Sequence, residues 1–202
     1  MSEPTPLRLL GPGASAPPER ADAARNRDAL LGAARALVDE RGVGAVTMEA
    51  VAARAGVGKG TLFRRFGSRE GLMAALLDRS EAQWQADVIS GPPPLGPGAP
   101  ARERLHAFGR SRAATDLAHA DLVRAAGATR QRSYAAYAFT AMHVRLLLTE
   151  LGVTGDVPLL ATALLAPLDP FVLDQQVRRE GLPLERVLAG WDDLVRRVVE
   201  GG

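Results

Sequence analysis

Lys59, Thr61, Phe63, Arg64 and Arg65 crowd into one short stretch of the chain, at spacings suited to holding an anion. Lys59 is the only lysine among 25 basic residues, and Gly58 and Gly60 flank it. Glycines there let backbone amides approach a phosphate while the ammonium serves as a flexible point charge. Read as a helix, the residues that follow turn Thr61, Phe63, Arg64 and Arg65 outward and Leu62 and Phe66 inward. Arginines so placed reach guanine edges or phosphates. An Arg-Arg pair alone is no more than two solvated charges on a small helix; its surroundings decide its chemistry.

Those surroundings predict two short helices around a tight glycine turn, a helix-turn-helix. Ala52 stands four residues before Gly56, so a small side chain on the first helix faces the second. Gly56 can take the positive φ that ends the first helix. Val51, Val57, Leu62 and Phe66 supply the apolar lock. Thr47 is placed as an N-cap, where its hydroxyl also lies near any phosphate at that helix end. Upstream, Leu30, Leu31, Ala34, Leu37 and Val38 recur at helical spacing, so residues 26–41 form an amphipathic helix that Gly42 stops.

This order of residues resembles the DNA-binding region of the TetR/AcrR family of bacterial transcription regulators. The resemblance runs from Asn26 to Leu77. It rests on Leu30-Leu31-x-Ala33-Ala34-x-x-Leu37, Gly42, Thr47, Val51-Ala52-x-x-Ala55-Gly56-Val57, Lys59-Gly60-Thr61-Leu62-Phe63 and Phe66-x-Ser68-Arg69-Glu70-x-Leu72. It implies an all-α chain with an N-terminal three-helix DNA-binding domain and a helical ligand-binding and dimerisation domain. It also implies contacts to double-stranded operator DNA from Thr47, Lys59, Gly60, Thr61, Phe63, Arg64 and Arg65. Phe63 departs from the tyrosine common in the family, which removes a hydroxyl that meets a phosphate. Arg65 departs from a frequent histidine, which strengthens the attraction to the backbone.

Charge agrees with that polarity. Residues 22–67 hold eight basic against five acidic side chains, whereas residues 68–202 hold fifteen against sixteen. So small an excess neutralises few phosphates per subunit, which favours a dimer on a pseudo-palindromic site. The chain has no cysteine, so neither a disulfide framework nor a thiolate metal site is available. Arginines, acids or prolines interrupt every apolar run, so no membrane span is expected. The proline-bearing amino terminus lacks the apolar core of a secretory signal, and the expected location is the cytoplasm.

The expected domains are a disordered tail over 1–21, the DNA-binding unit over 22–67 and the helical body over 68–202. The tail is either passive or an arm for the minor groove. Ser68 caps a long helix to about Ile89, and the Pro/Gly-rich loop 91–100 is the main linker, which no helix crosses. Further helices are expected at 101–118, 121–127, 130–151, 157–180 and 184–199, with Pro167 and Pro170 interrupting the fourth.

In the body, Leu105, His106, Phe108, Arg110 and Asp116, with Tyr134, Tyr137, Phe139, Thr140, Met142 and His143 on the helix 130–151, compose a mixed pocket for a small organic effector. Read one at a time, they are ordinary bundle residues. The stripe Leu184, Leu188, Trp191 and Val195, with Leu164, Leu168 and Phe171 before it, is assigned to a homodimer seam, as the resemblance implies; burial within one subunit is the competing reading. No catalytic residue, metal site or cofactor is expected. His106, His119 and His143 lack the spacing that puts two ligands on one helical face, and no nucleophile elbow or phosphate loop is present. The function expected is a ligand-responsive repressor, and the alternative is a DNA-binding regulator or architectural protein without an effector.

Overall fold

The computed structural model describes residues 18–127 and 134–201, with side chains from residue 25 and, in the second stretch, from residue 136. Among the described residues there is no strand. Helix α1 (Pro18–Arg41), α2 (Met48–Ala55) and α3 (Lys59–Phe66) form a head. Helices α4 (Arg69–Ser90), α5 (Ala101–Ala125), α6 (Tyr134–Glu150), α7 (Val157–Leu165), α8 (Pro170–Leu173) and α9 (Leu184–Glu200) form the body. Because α1 starts at Pro18, it takes in the last residues of the expected tail. Residues 1–17 and 128–133 lie outside the described residues.

Local chemistry sets the head's boundaries. The Thr47 hydroxyl accepts the Ala50 N–H at 3.1 Å and opens α2, while Gly56 closes it at φ 66°. A Cβ there would strain the left-handed backbone, so the turn into α3 needs glycine. Ser68 accepts from Gly71 N–H at 3.2 Å and starts α4 where expected. The head core gathers Leu30, Leu31, Leu37, Val51, Leu62 and Leu72. It also takes in Leu122 from the far end of α5, so the body reaches the head along two helices rather than α4 alone.

Several expected boundaries change. The helices expected at 101–118 and 121–127 are one continuous α5. The expected linker 91–100 is a compact turn in which Gly96 N–H bonds Pro92 C=O at 3.0 Å. The helix expected over 157–180 is a broken run: α7, a 3-10 turn at Ala166–Leu168, α8 from Pro170, then a π-helical segment Asp174–Arg179. Two prolines missing their N–H explain the breaks. Taken whole, the run Val157–Arg179 is long and apolar enough, by length and composition, to cross a membrane, which corrects the expectation that none would be. Its inner face packs Ala161, Leu164, Leu168 and Leu173 into the body core, and 28% of its apolar window is buried within this chain.

The seam between α5 and α9 is set by one glycine. Trp191 is buried, donates its indole N–H to Leu164 C=O at 2.7 Å, and lays its ring against Gly109. A Cβ on Gly109 would sit 2.2 Å from that ring. Helix propensity alone favours alanine there by about 1 kcal/mol. Overpacking against an anchored indole costs more, and we expect Gly109→Ala to lose about 1–3 kcal/mol in chemical denaturation.

Candidate nucleic-acid interface

Leu62 is fully buried and pins α3 to the head, which fixes the direction of every other side chain on this short helix. Phe63 is 42% exposed, Arg64 and Arg65 are exposed, and Thr61 is half-buried. An open cleft of about 300 Å³ runs where α3 meets α1, lined by Asn26, Leu30, Thr61, Arg64 and Arg65. The Arg27 guanidinium lies 5.5 Å from the Phe66 ring centroid at the same junction. Asn26 and Arg27 thus join a surface that sequence spacing assigned to α3; their closeness to it is tertiary and left no local signal.

Lys59 differs from expectation. Its ammonium is paired with Glu49 of α2 and lies 5.5 Å from the Phe63 ring centroid, so its charge is partly answered within the chain. The hydrogen bond from Lys59 holds the Glu49 carboxyl below its usual range. Releasing this pair costs something on meeting phosphate, and the carboxylate left behind repels it. Glu49→Gln is therefore expected to tighten DNA binding about three- to tenfold and to steepen the salt dependence by about one unit of slope, read by anisotropy titration at several salt concentrations. Behind the surface, Arg69 donates to Val46 C=O at 2.7 Å and Val43 C=O at 2.8 Å, tying the first turn of α4 to the segment before α2. Arg54 and Glu40 form a two-fold hydrogen-bonded pair at 2.6 and 2.7 Å that joins α2 to α1.

Residues 30–76 match the family model for bacterial regulatory proteins of the tetR family. The head thus carries the DNA-binding module that this family model describes. No curated protein matches the chain significantly. Among solved structures, a TetR-family transcriptional regulator from Pectobacterium atrosepticum is similar at 21% identity and a TM-score of 0.65, covering 90% of this chain and 96% of that one. A TetR regulator from Streptomyces coelicolor aligns at 28% identity and a TM-score of 0.53, over 87% of this chain and 97% of its own. FadR from Bacillus subtilis, solved in complex with stearoyl-CoA, aligns at 16% identity and a TM-score of 0.59, over 87% and 98%. The match over the head supports DNA-binding transcriptional regulation, and the solved structures support the all-helical fold.

Among the residues expected to act together in the body, Phe108, Phe139 and His143 meet, and the others are dispersed. His106 Nδ1 lies 2.6 Å from Asp192 Oδ1, and Arg110 bonds Asp192 at 2.7 Å and Glu185 at 3.1 Å, so both face α9 rather than α6. His106 borders a shallow cleft of about 390 Å³ with Arg102, Asp192 and Arg196. Met142 is exposed, and Tyr137 donates to Thr162 at 3.3 Å. Thr140 and His143 are buried in the body, whereas the Tyr134 side chain lies outside the described residues. The residues expected around a pocket thus fall in two places, one set on the α5–α9 face and another inside the bundle. The expected seam is corrected. Leu164, Leu168, Leu188, Trp191 and Val195 are buried within the single chain, Leu184 is half-buried against the core, and only Phe171 is exposed. Their pattern is that of a core, which burial within one subunit explains.

His143 is 8% exposed, and burial together with the Arg104 charge pushes its pKa down to about 4. It is neutral in the folded protein at pH 7. An unfolded histidine titrates near 6.5, so stability is undiminished above that pH and falls as the pH drops from 6.5 towards 4, because only the unfolded chain takes the proton. Burial also lowers the pKa of His119, which lies 2.9 Å from the Ser80 hydroxyl, and this acts in the same direction. We expect His143→Phe to flatten the acid loss of stability between pH 6.5 and 4.5 by about 2 kcal/mol, measured by urea unfolding across that range.

Proposed function

We propose that the protein is a homodimeric repressor that binds a pseudo-palindromic operator in the cytoplasm and leaves it when a small molecule binds the body. The observation that carries the reading is α3: a helix locked by buried Leu62, with Phe63, Arg64 and Arg65 exposed beside the α1 cleft. Such a helix suits the major groove, and two copies on a twofold axis suit half-sites one helical turn apart. Dimerisation is supported by the outer face of the Val157–Arg179 run, where Leu159 is 66% exposed and Val172 38%. Large apolar side chains left exposed along one run are expected to be covered by a partner surface.

Release follows from the coupling of body and head. The body grips the head through α4 and through Leu122 of α5, so a ligand that favours a different α4–α5 packing changes the separation of the two α3 helices. FadR, a distant structural relative solved with stearoyl-CoA, supports small-molecule binding by this fold. A gel-shift of the purified protein against DNA flanking its own gene tests the reading. A discrete shift competed by specific but not bulk DNA is expected; only salt-labile, sequence-blind binding overturns it. Sedimentation of wild type and Leu159→Glu/Val172→Glu tests the seam, with dimer expected for the first and monomer for the second.

A further inference from the structure

Among the described residues, two buried nitrogens in the body find no hydrogen-bond partner: Nε2 of His143 and Nε of Arg104. Buried polar atoms are nearly always satisfied, and each exception calls for a reason. They belong to one arrangement. Arg104 and Phe108 stand one turn apart on α5, as do Phe139 and His143 on the facing α6. The His143 ring stacks on Phe108 at 5.2 Å and 22°, and lies nearly parallel to Phe139 at 6.3 Å and 16°. Trp84 of α4 closes the column, 5.2 Å from Phe108 and edge-on to Phe139 at 6.1 Å. The arrangement is therefore a column of flat rings, with two unanswered nitrogens beside it and a direct contact to the helix that follows α3.

Both nitrogens can donate, and one belongs to a guanidinium that is always charged. The Arg104 side chain is 13% exposed, and the half-exposed Glu150 carboxylate lies 3.9 Å from its Nη1. That contact leaves Nε unanswered. A single group with two acceptor oxygens answers both donors, and a flat apolar body extends the ring column. Resting on the effector-responsive reading above, we propose that the effector is an aromatic carboxylate. Its carboxylate accepts hydrogen bonds from Arg104 Nε–H and His143 Nε2–H, and its ring inserts beside Phe108, His143 and Phe139. Insertion displaces Trp84 and with it α4. Arg104 and His143 are binding residues, and Trp84 is the positioning residue that passes the change to the head.

The test uses the full chain without DNA, so that it stands apart from operator recognition. Calorimetric titration at pH 7.5 compares benzoate and 1-naphthoate with benzyl alcohol, which keeps the ring and lacks the charge, and hexanoate, which keeps the charge and lacks the ring. At least one aromatic acid is expected to bind saturably, one per chain, with a Kd below about 1 mM, and the two controls at least about tenfold more weakly. Arg104→Gln and His143→Phe are each expected to weaken that binding at least about tenfold. His143→Phe removes an unsatisfied atom and keeps the ring, so its Tm in the absence of ligand should equal or exceed that of wild type, which separates lost binding from lost folding. Absence of saturable binding by both acids, equal binding of hexanoate or benzyl alcohol, or undiminished binding by both variants overturns the proposal. Failure of the gel-shift with the acid still bound at this site overturns the regulator reading alone.

Discussion

Arg112→Ala is expected to destabilise the protein by about 3–5 kcal/mol, the loss typical when one member of a buried ion cluster is removed. The guanidinium is 4% exposed, donates through Nε to Asp116 at 2.9 Å and makes a second bond to the same carboxylate. It reaches across to Glu81 of α4 at 2.8 Å and lies 4.4 Å from the Trp84 ring centroid. Its charge is sustained because Asp116 and Glu81 outweigh the cost of burial and raise its pKa. Alanine leaves Asp116 buried opposite a void and strips Trp84 of its cation. In a chain of this length the loss corresponds to a fall in Tm on the order of 10 °C by calorimetry. Arg112→Met with Asp116→Leu should recover most of it, since an apolar pair of similar volume removes both fully buried charges and leaves Glu81, which is part-exposed and still accepts from Gln85. If the single substitution costs less than about 1 kcal/mol, the cluster is solvated and does not hold α4 against α5.

That cluster also marks the limit of what the sequence reveals. Arg112 and Asp116, four apart on a helix, carry no local mark of an ion cluster; their pairing and burial depend on Trp84 and Glu81, contributed by another helix. The head is different. Thr47, Ala52, Gly56, Leu62 and Ser68 act over at most a few residues, through caps, a left-handed turn and one knob, so spacing alone places them. The stripe on α9 is an intermediate case. Leu188, Trp191 and Val195 declare an apolar face, but a face turned into its own core and one turned to a second copy have the same period. What settles the choice is Gly109, a residue on α5 with nothing in its neighbourhood to announce that an indole rests on it. Arg104 was equally silent: a charged residue near the start of a helix is unremarked until its Nε is found buried and unanswered.

Arg64→Ala/Arg65→Ala is expected to weaken operator binding by about two orders of magnitude at moderate salt, and to lower the salt slope by up to about two per chain. Both side chains stand on α3 beside the α1 cleft, and Leu62 leaves the helix no freedom to turn them elsewhere. The single variants divide the effect. An arginine that meets a phosphate loses affinity on all sequences alike and takes about one unit of slope with it, whereas one that reads guanine loses about 1–3 kcal/mol on its preferred base pair only. Lys59→Ala behaves differently again, because Glu49 survives it. The unpaired carboxylate repels phosphate, so the variant loses more affinity than one phosphate contact accounts for, and adding Glu49→Gln restores part of that loss. Titrations of the double arginine variant, its two singles, Lys59→Ala and the Lys59→Ala/Glu49→Gln double on operator and scrambled DNA, each at several salt concentrations, separate these cases. A double arginine variant that keeps both affinity and slope places the DNA on another face of the head, and the role given to α3 falls with it.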